Sequence, residues 1–269
     1  MGRRERWKEK PIKKGVLEVE ISAWRYLSDY FFQRTKENER LCWRGQRRDD
    51  WRLETSLDRV LPESDDAARA EHLERFKYAA RGRRGENPPR LENDNDWWSL
   101  GQHHALDTPL LDWSESPWVA AYFAFYQDRS YPTKRRAIYA LSRALVEERN
   151  NTIKQDTLED EMTYLLENDD LCLDVLEFVR PMSDDNQRLL VQGGLFTKVA
   201  RGGSIEDWVK RQFPKERKCA VLRKLTIPNA DRVELLKALN RMNINHSTLF
   251  PDLIGASIYC NMRNNIDGY

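Results

Sequence analysis

The order of its strand and helix patterns is the feature that most constrains how this chain can fold. Short apolar or alternating stretches predict strands near residues 16–21, 41–44, 136–141, 173–179, 195–199 and 220–227. About as many helical patterns lie between and after them, without the steady strand–helix–strand alternation of a doubly wound sheet. The sequence therefore predicts an α+β protein.

Length and composition indicate one folded unit without a bulk charge. The chain has 269 residues, of which 40% are hydrophobic, and its net charge is only +1. Residues 1–15 are basic and are interpreted as an N-terminal arm or edge segment. Residues 16–269 are predicted to form a single domain, with a mobile polar loop near 83–96. A nucleic-acid contact would need a local patch, because no overall positive field exists.

Cysteine spacing and hydropathy limit the cellular compartment and the cofactors that we expect for this protein. The four cysteines are scattered and form no C-x-x-C pair, so neither a zinc clip nor a disulfide framework is predicted. The basic N-terminus is followed by no apolar stretch typical of a signal peptide, and no apolar run is long enough to span a membrane. We expect a cytoplasmic protein without a metal centre and without a membrane partner.

The first segment with chemical potential is Trp43-Arg44-Gly45-Gln46. An arginine at the end of a strand offers a planar, permanently charged donor fork that suits phosphate or carboxylate. The following glycine would allow the backbone to approach a ligand closely. Arg44 is equally well explained as a structural arginine paired with an acid such as Asp112, and the spacing does not decide between the two roles.

The second segment runs from Gly101 to Ser114 and combines imidazoles, an amide, hydroxyls and carboxylates. His103 and His104 are adjacent, so their side chains point in different directions and cannot easily share one metal ion. One of them could act as a general base or ligand donor. A hydrogen-bonded core histidine explains the same residue type at least as well.

The third segment, residues 187–197, places Gln192 at a predicted helix–strand junction. A side chain at such a junction faces whatever lies at the edge of the sheet. An ordinary helix stop at Gly193-Gly194 explains the pattern without any ligand, and it is the simpler interpretation.

Taken in order, these segments resemble the FRG domain, a family named for a Phe/Tyr-Arg-Gly motif. The corresponding blocks here are Trp43–Gln46, Gln102–Ser114 with Ala121–Ala124, then Arg188, Gln192, Gly194 and Phe196, and finally Leu249–Gly255. Two positions depart from the family pattern. His104-Ala105 replaces a Tyr-Gly pair, and Pro109 replaces an arginine, so a second pocket cation is missing.

The resemblance implies a mixed, mostly antiparallel sheet similar to that of ADP-ribosyltransferases, and NAD as the substrate. It implies that Arg44 holds an NAD phosphate, that Ser114 or Thr108 orients the nicotinamide ribose, and that Tyr122 or a tryptophan stacks on nicotinamide. A late acid would stabilise the transition state. Gln192 aligns with that acid, and Glu177 is the nearest carboxylate. The remaining predicted NAD contacts are Gln46, His103 and Asp112.

The resemblance also implies a bacterial toxin or phage-defence effector that modifies a macromolecule such as RNA or protein. Effectors of this kind are often held by an antitoxin. Two other functions stay open at this point. One is a non-catalytic module that binds a nucleotide, with Lys134–Arg136 or Arg3-Arg4 touching a partner. The other is a hydrolase that uses His103 or His104 with Asp112.

Overall fold

An eight-stranded sheet organises the computed structural model, which describes residues 5–35, 39–61, 66–88, 90–128, 133–164, 173–180, 191–200 and 202–269. The strands are β1 (Trp7–Glu9), β2 (Val16–Ile21), β3 (Leu41–Gln46), β4 (Leu111–Ser114), β5 (Arg135–Ser142), β6 (Leu176–Val179), β7 (Gly194–Val199) and β8 (Leu222–Pro228). Their spatial order is β1-β2-β8-β5-β3-β4-β7-β6. The β2–β8 pair is parallel and the other neighbouring pairs are antiparallel. The predicted α+β class with a mixed, mostly antiparallel sheet is confirmed.

Helices surround this sheet. The described residues contain α1 (Leu27–Arg34), α2 (Ser56–Val60), α3 (Asp66–Ala79), α4 (Asp94–His103), α5 (Pro117–Phe125), α6 (Arg143–Tyr164), α7 (Ile205–Gln212), α8 (Arg232–Arg241), α9 (His246–Leu249) and α10 (Leu253–Asn265). A 3₁₀ turn precedes α1 and another precedes α8. Together they cover both faces of the sheet and its β6–β7 end.

Strand β5 shows that the sheet is buried on both faces. Ile138 and Ala140 belong to one apolar cluster, whereas Ala137, Tyr139 and Leu141 belong to another. Because successive side chains of a strand point to opposite faces, the two clusters lie on opposite sides of the sheet. A third cluster joins α2, α3 and α4 to the ends of β6 and β7. The core is thus three-layered around β5, as its almost uninterrupted burial requires.

Helix α5 lies directly on β3 because its inner face is made of small residues. Ala120, Ala121 and Ala124 are fully buried, which lets the helix axis approach the strand closely. Its N-cap is Ser116, whose hydroxyl accepts a hydrogen bond from the Val119 amide. Ser114, two residues earlier, is the last residue of β4.

Other boundaries also differ from the prediction. Gly45 does not end its strand, since β3 continues to Gln46. Helix α4 begins at Asp94, inside the predicted polar loop near 83–96, and is capped by Asn93. Trp7–Glu9, inside the predicted N-terminal arm, forms the edge strand of the sheet. The prediction overlooked β1 and β4, which have only three and four residues. Arg3-Arg4 and the predicted helix that carries Arg188 lie outside the described residues.

Candidate functional site

The sheet separates between β3 and β4. These strands share a single residue pair, Trp43 with Ser114. An antiparallel ladder continued from that pair would place Gly45 opposite Asp112, but beyond it each strand pairs only with its outer neighbour. The Arg44 side chain crosses the gap instead, and its Nη1 donates to the Asp112 carbonyl oxygen at 2.6 Å.

A cavity of about 860 Å³ opens at this separation. That volume lies within the range of about 300–1,000 Å³ usual for small-molecule sites. It is lined by β3 and β4, by α5, and by the segment that follows β3. The lining residues are Trp43, Arg44, Gly45, Gln46, Arg47, Asp50, Trp51, Arg52, Glu54, Arg59, Asp112, Trp113, Ser114, Ala120, Phe123, Tyr126, Gln127, Gln192 and Phe250.

Arg44 is ion-paired and also lines the cavity. Its Nη1 lies 3.5 Å from the Asp112 carboxylate, so it is the paired arginine of the structural interpretation. Yet its side chain lines the cavity and stays 23% exposed, and its Nε has no hydrogen-bond partner among the described residues. Burial lowers the pKa of the Arg44 guanidinium, and Asp112 opposes that shift. An arginine remains charged under these conditions, so a cation lies at the gap.

Gln46 offers a second unused group in the same wall. Its Nε2 donates to the Arg52 carbonyl at 3.0 Å, which fixes the orientation of the amide. Its Oε1 is buried and has no partner in the part of the chain that the structure describes. A buried acceptor left unpaired costs about 1–3 kcal/mol, so a ligand that donates to this oxygen would recover that energy.

The segment after β3 supplies most of the remaining cations and one exposed ring. Arg47 hydrogen-bonds to Gln127 and lies over the Trp51 ring at 5.0 Å. Trp51 is 37% exposed, so one part of its ring system remains accessible. Tyr126, also in the lining, stacks on Tyr122 at 5.5 Å. Two aromatic side chains of the cavity wall, Trp51 and Tyr126, thus offer ring surfaces to a ligand.

Ser114 and Gln192 lie in the cavity wall, as the resemblance implied, but both are engaged. The Ser114 hydroxyl donates to the Gln192 carbonyl at 2.6 Å and accepts from the Ser116 amide at 3.0 Å. The Gln192 Nε2 donates to the Leu249 carbonyl at 3.0 Å. These bonds tie the end of β4 to the chain that enters β7.

The structure does not bring the other four predicted residues into the described lining of the cavity. Tyr122 is fully buried behind Tyr126, and its hydroxyl hydrogen-bonds to His246 Nδ1 at 3.0 Å. Thr108 is buried, and its hydroxyl donates to Gln102. Glu177 on β6 accepts a hydrogen bond from Asn95 at 2.9 Å.

His103, the fourth of these residues, ends α4 with its ring edge-on to His104 at 5.0 Å. The two adjacent imidazoles contact each other instead of diverging as predicted, and neither one is among the described residues that line the cavity. The Asp112 carboxylate instead accepts a hydrogen bond from Gln102 at 2.8 Å. Asp112 is therefore positioned by an amide and a guanidinium, and the predicted histidine–aspartate hydrolase finds no support in this geometry.

Sequence reasoning missed the lining residues that follow β3, among them Arg47, Arg52, Glu54 and Arg59. The signal for them was present, since arginines and acids surround Trp51 immediately after the Trp-Arg-Gly-Gln segment. Charged residues around a large ring, next to a strand end that carries Arg44, are typical of a binding-site loop.

Trp113 forms a fixed wall of the cavity because its indole is anchored. Its Nε1 donates to Thr197 Oγ1 at 2.8 Å, and both residues are buried. Thr197→Val keeps the shape but leaves the indole N–H unpaired, so we expect a loss of about 1–3 kcal/mol in the free energy of unfolding. Thr152→Val, on a helix surface, is the control in chemical denaturation. Equal stability of both variants would contradict this anchoring role.

Two absences apply to the described residues. None of their helices has the length and apolar character needed to cross a membrane. Across the same ranges, no cluster of three or more His, Cys, Asp or Glu side chains could hold a metal ion.

Comparison with known proteins gives one family. No curated protein and no solved structure matches the chain. The model of the FRG domain matches residues 39–132, the stretch that contains β3, β4 and α5. The separated strands and the helix that packs on them, which build most of the cavity, therefore lie within the stretch that matches the FRG domain.

Proposed function

We propose that the cavity binds NAD and that the chain is an ADP-ribosyltransferase-like effector acting on a macromolecule such as RNA or protein. The observation that carries the proposal is Arg44, held at the gap between β3 and β4 inside an aromatic-walled cavity. A planar donor fork at that position suits a phosphate oxygen.

The charged and aromatic side chains that line the cavity support a nucleotide as its ligand. Four arginines face three carboxylates there, which leaves one positive charge in excess; these residues are Arg44, Arg47, Arg52, Arg59, Asp50, Glu54 and Asp112. Trp51 and Tyr126 offer planar surfaces for adenine or nicotinamide. The unpaired Oε1 of Gln46 suits an N–H donor such as the nicotinamide carboxamide or the adenine amino group.

Transfer requires a proton acceptor in the cavity. The bond between nicotinamide and the ribose carbon breaks, nicotinamide leaves, and the acceptor nucleophile bonds to that carbon while a base takes its proton. An amide such as Gln192 cannot act as that base. We assign the role to Glu54, because its closest ion-pair contact, to Arg52 at 3.8 Å, is looser than those of Asp50 and Asp112.

A second candidate, a non-catalytic nucleotide-binding module, is favoured by a specific observation. The groups that the resemblance assigns to chemistry are either engaged, as Ser114 and Gln192 are, or outside the described lining, as Glu177 is. Binding without turnover needs only Arg44, Gln46 and the rings. The two functions therefore differ in whether bound NAD is consumed.

The deciding experiment combines two readouts on the intact protein. A rise in melting temperature with NAD concentration measures binding, and transfer of labelled ADP-ribose to RNA or protein in a cell extract measures turnover. Both signals together, with turnover lost in Glu54→Gln, support the transferase. A melting shift without transfer or nicotinamide release supports the binding module. Absence of any NAD-dependent melting shift overturns both.

Replacing Gln46 tests how the cavity recognises its ligand. Gln46→Met removes the unpaired acceptor while keeping a side chain of similar length, so we expect affinity for NAD to fall about fivefold. Isothermal titration calorimetry measures this change. The matched control is Gln127→Met, another lining residue whose amide oxygen already accepts a hydrogen bond from Arg47. A larger loss in the control than in Gln46→Met would contradict the role of Gln46.

A further inference from the structure

We propose a second ligand site at the opposite end of β3, which takes a free amino acid with an apolar side chain. This site is separate from the proposed NAD cavity and does not depend on it. A cavity of about 520 Å³ opens there between α1, β2, β8 and the start of α6. Its lining residues are Glu9, Ile12, Leu17, Tyr30, Arg34, Glu39, Ser142, Ala144, Leu145, Lys218, Cys219, Ala220 and Arg223.

Three side chains in this cavity carry buried polar atoms without partners. The Tyr30 hydroxyl, Glu39 Oε2 and Arg223 Nη1 have no hydrogen bond within the described ranges. Tyr30 is fully buried and Arg223 is 7% exposed. Arg223 Nη2 donates to Glu39 Oε1 at 2.9 Å, so the ion pair is held in place with its second nitrogen and second oxygen unused.

Such a cluster is energetically costly when nothing binds to it. Each buried polar atom without a partner costs about 1–3 kcal/mol, and charged groups cost more. Burial raises the pKa of Tyr30, so its hydroxyl keeps its proton and can donate. One cavity therefore presents two donors, on Tyr30 and Arg223, and one acceptor, on Glu39.

An amino acid satisfies all three groups at once. Its carboxylate accepts from Arg223 and from the Tyr30 hydroxyl, and its ammonium group donates to Glu39 Oε2. Lys218 adds a positive charge to the lining, whereas the Arg34 guanidinium is paired with Glu9 at 3.2 Å.

The remaining walls define the side chain of the ligand. They are aliphatic, formed by Ile12, Leu17, Ala144, Leu145 and Ala220. Such walls favour an aliphatic group of the size of leucine or valine and disfavour a further charge. The site would therefore select an apolar amino acid over lysine or glutamate.

The test uses the full chain and a set of leucine derivatives. We expect L-leucine to raise the melting temperature in a saturable manner. N-acetyl-leucine lacks the ammonium group and leucinamide lacks the carboxylate, so each should bind at least tenfold more weakly. L-lysine and L-glutamate should give no shift at the same concentrations. Equal shifts with leucine and both derivatives, or no shift with any apolar amino acid at 10 mM (roughly the weakest affinity worth detecting), would overturn the proposal.

A single substitution tests whether leucine binds in this cavity. Tyr30→Phe removes a hydroxyl that bonds to nothing in the described chain, so folding should be unharmed while affinity for leucine falls about tenfold. Tyr78→Phe, 72% exposed on α3, is the control.

Cys219 provides an independent measure of binding, because its thiol is exposed and it lines the cavity. Leucine should slow its alkylation, followed on the Cys219 peptide by mass spectrometry. Unchanged affinity in Tyr30→Phe together with unprotected Cys219 would show that the cavity holds water alone.

Discussion

Gly45→Ala should reduce the free energy of unfolding by roughly 4 kcal/mol or more, a large effect for one added methyl group. A Cβ atom at residue 45 would lie 1.9 Å from the Ala120 carbonyl oxygen and 2.5 Å from the Ala124 amide nitrogen. Both atoms belong to the backbone of α5, so no side-chain rotation relieves the contact. Helix and strand would have to separate, and the wall of the cavity would move with them.

Chemical denaturation measures this effect, and two further variants isolate its cause. Gly85→Ala adds a methyl group with no atom within 4 Å at a positive φ of 84°, so it should cost only about 1 kcal/mol. Ala120→Gly in the Gly45→Ala background should give no rescue, because the obstacle is the carbonyl oxygen of residue 120. Similar losses in Gly45→Ala and Gly85→Ala would show that close packing is not the reason for this glycine.

Arg44→Ala should lower affinity for NAD on the order of 100-fold, because it removes a charge-assisted hydrogen bond to phosphate. Stability should fall by only about 1–2 kcal/mol. The Asp112 carboxylate that loses its partner is 63% exposed, and one bond to the Asp112 carbonyl disappears. The affinity is measured by calorimetry and the stability by denaturation.

Two further variants separate the contribution of the positive charge to NAD affinity from that of the guanidinium geometry. Arg44→Lys keeps the positive charge but loses the fork, so we expect an intermediate affinity. Arg59→Ala removes an exposed arginine of the same cavity, which donates a hydrogen bond to the Glu54 carbonyl oxygen at 3.2 Å, and should weaken binding about threefold at most. If Arg59→Ala weakened binding as much as Arg44→Ala, general electrostatic attraction would explain the affinity.

Much of the fold could be predicted, since strand alternation and helix spacing are local properties. β2 was predicted with its observed bounds, because its apolar residues alternate cleanly and one face is buried. β4 was missed since four residues, one of them the exposed Asp112, carry too weak a pattern. Its existence depends on pairing with β7, more than eighty residues later in the chain, and such pairing leaves no local signal.

The candidate site could be predicted only in part for the same reason. Arg44, Gln46, Asp112, Ser114 and Gln192 were predicted and all line the cavity. The predicted site residues that do not line the cavity are those whose location depends on how helices and strands pack in three dimensions.

Tyr122 and Glu177 show what such failures have in common. Tyr122 lies one turn before the lining residue Tyr126, which follows the end of α5, and its ring is fully buried behind that of Tyr126. Glu177 lies on the edge strand, where it bonds to Asn95 rather than facing Arg44. The motif alone does not show which residues of a helix reach the cavity, nor which strand lies at the edge of the sheet.

The single residue pair between β3 and β4 leaves two arrangements of these strands to compare, paired and separated. If the two strands paired beyond Trp43 and Ser114, the sheet would gain ladder hydrogen bonds. Gly45 would then lie opposite Asp112, and the cavity entrance would close. The Arg44 guanidinium, wedged onto the Asp112 carbonyl, blocks that closure. The same side chain thus keeps the entrance open and offers its charge to whatever enters. A ligand that draws Arg44 away from Asp112 would also change how firmly the two parts of the sheet are held together.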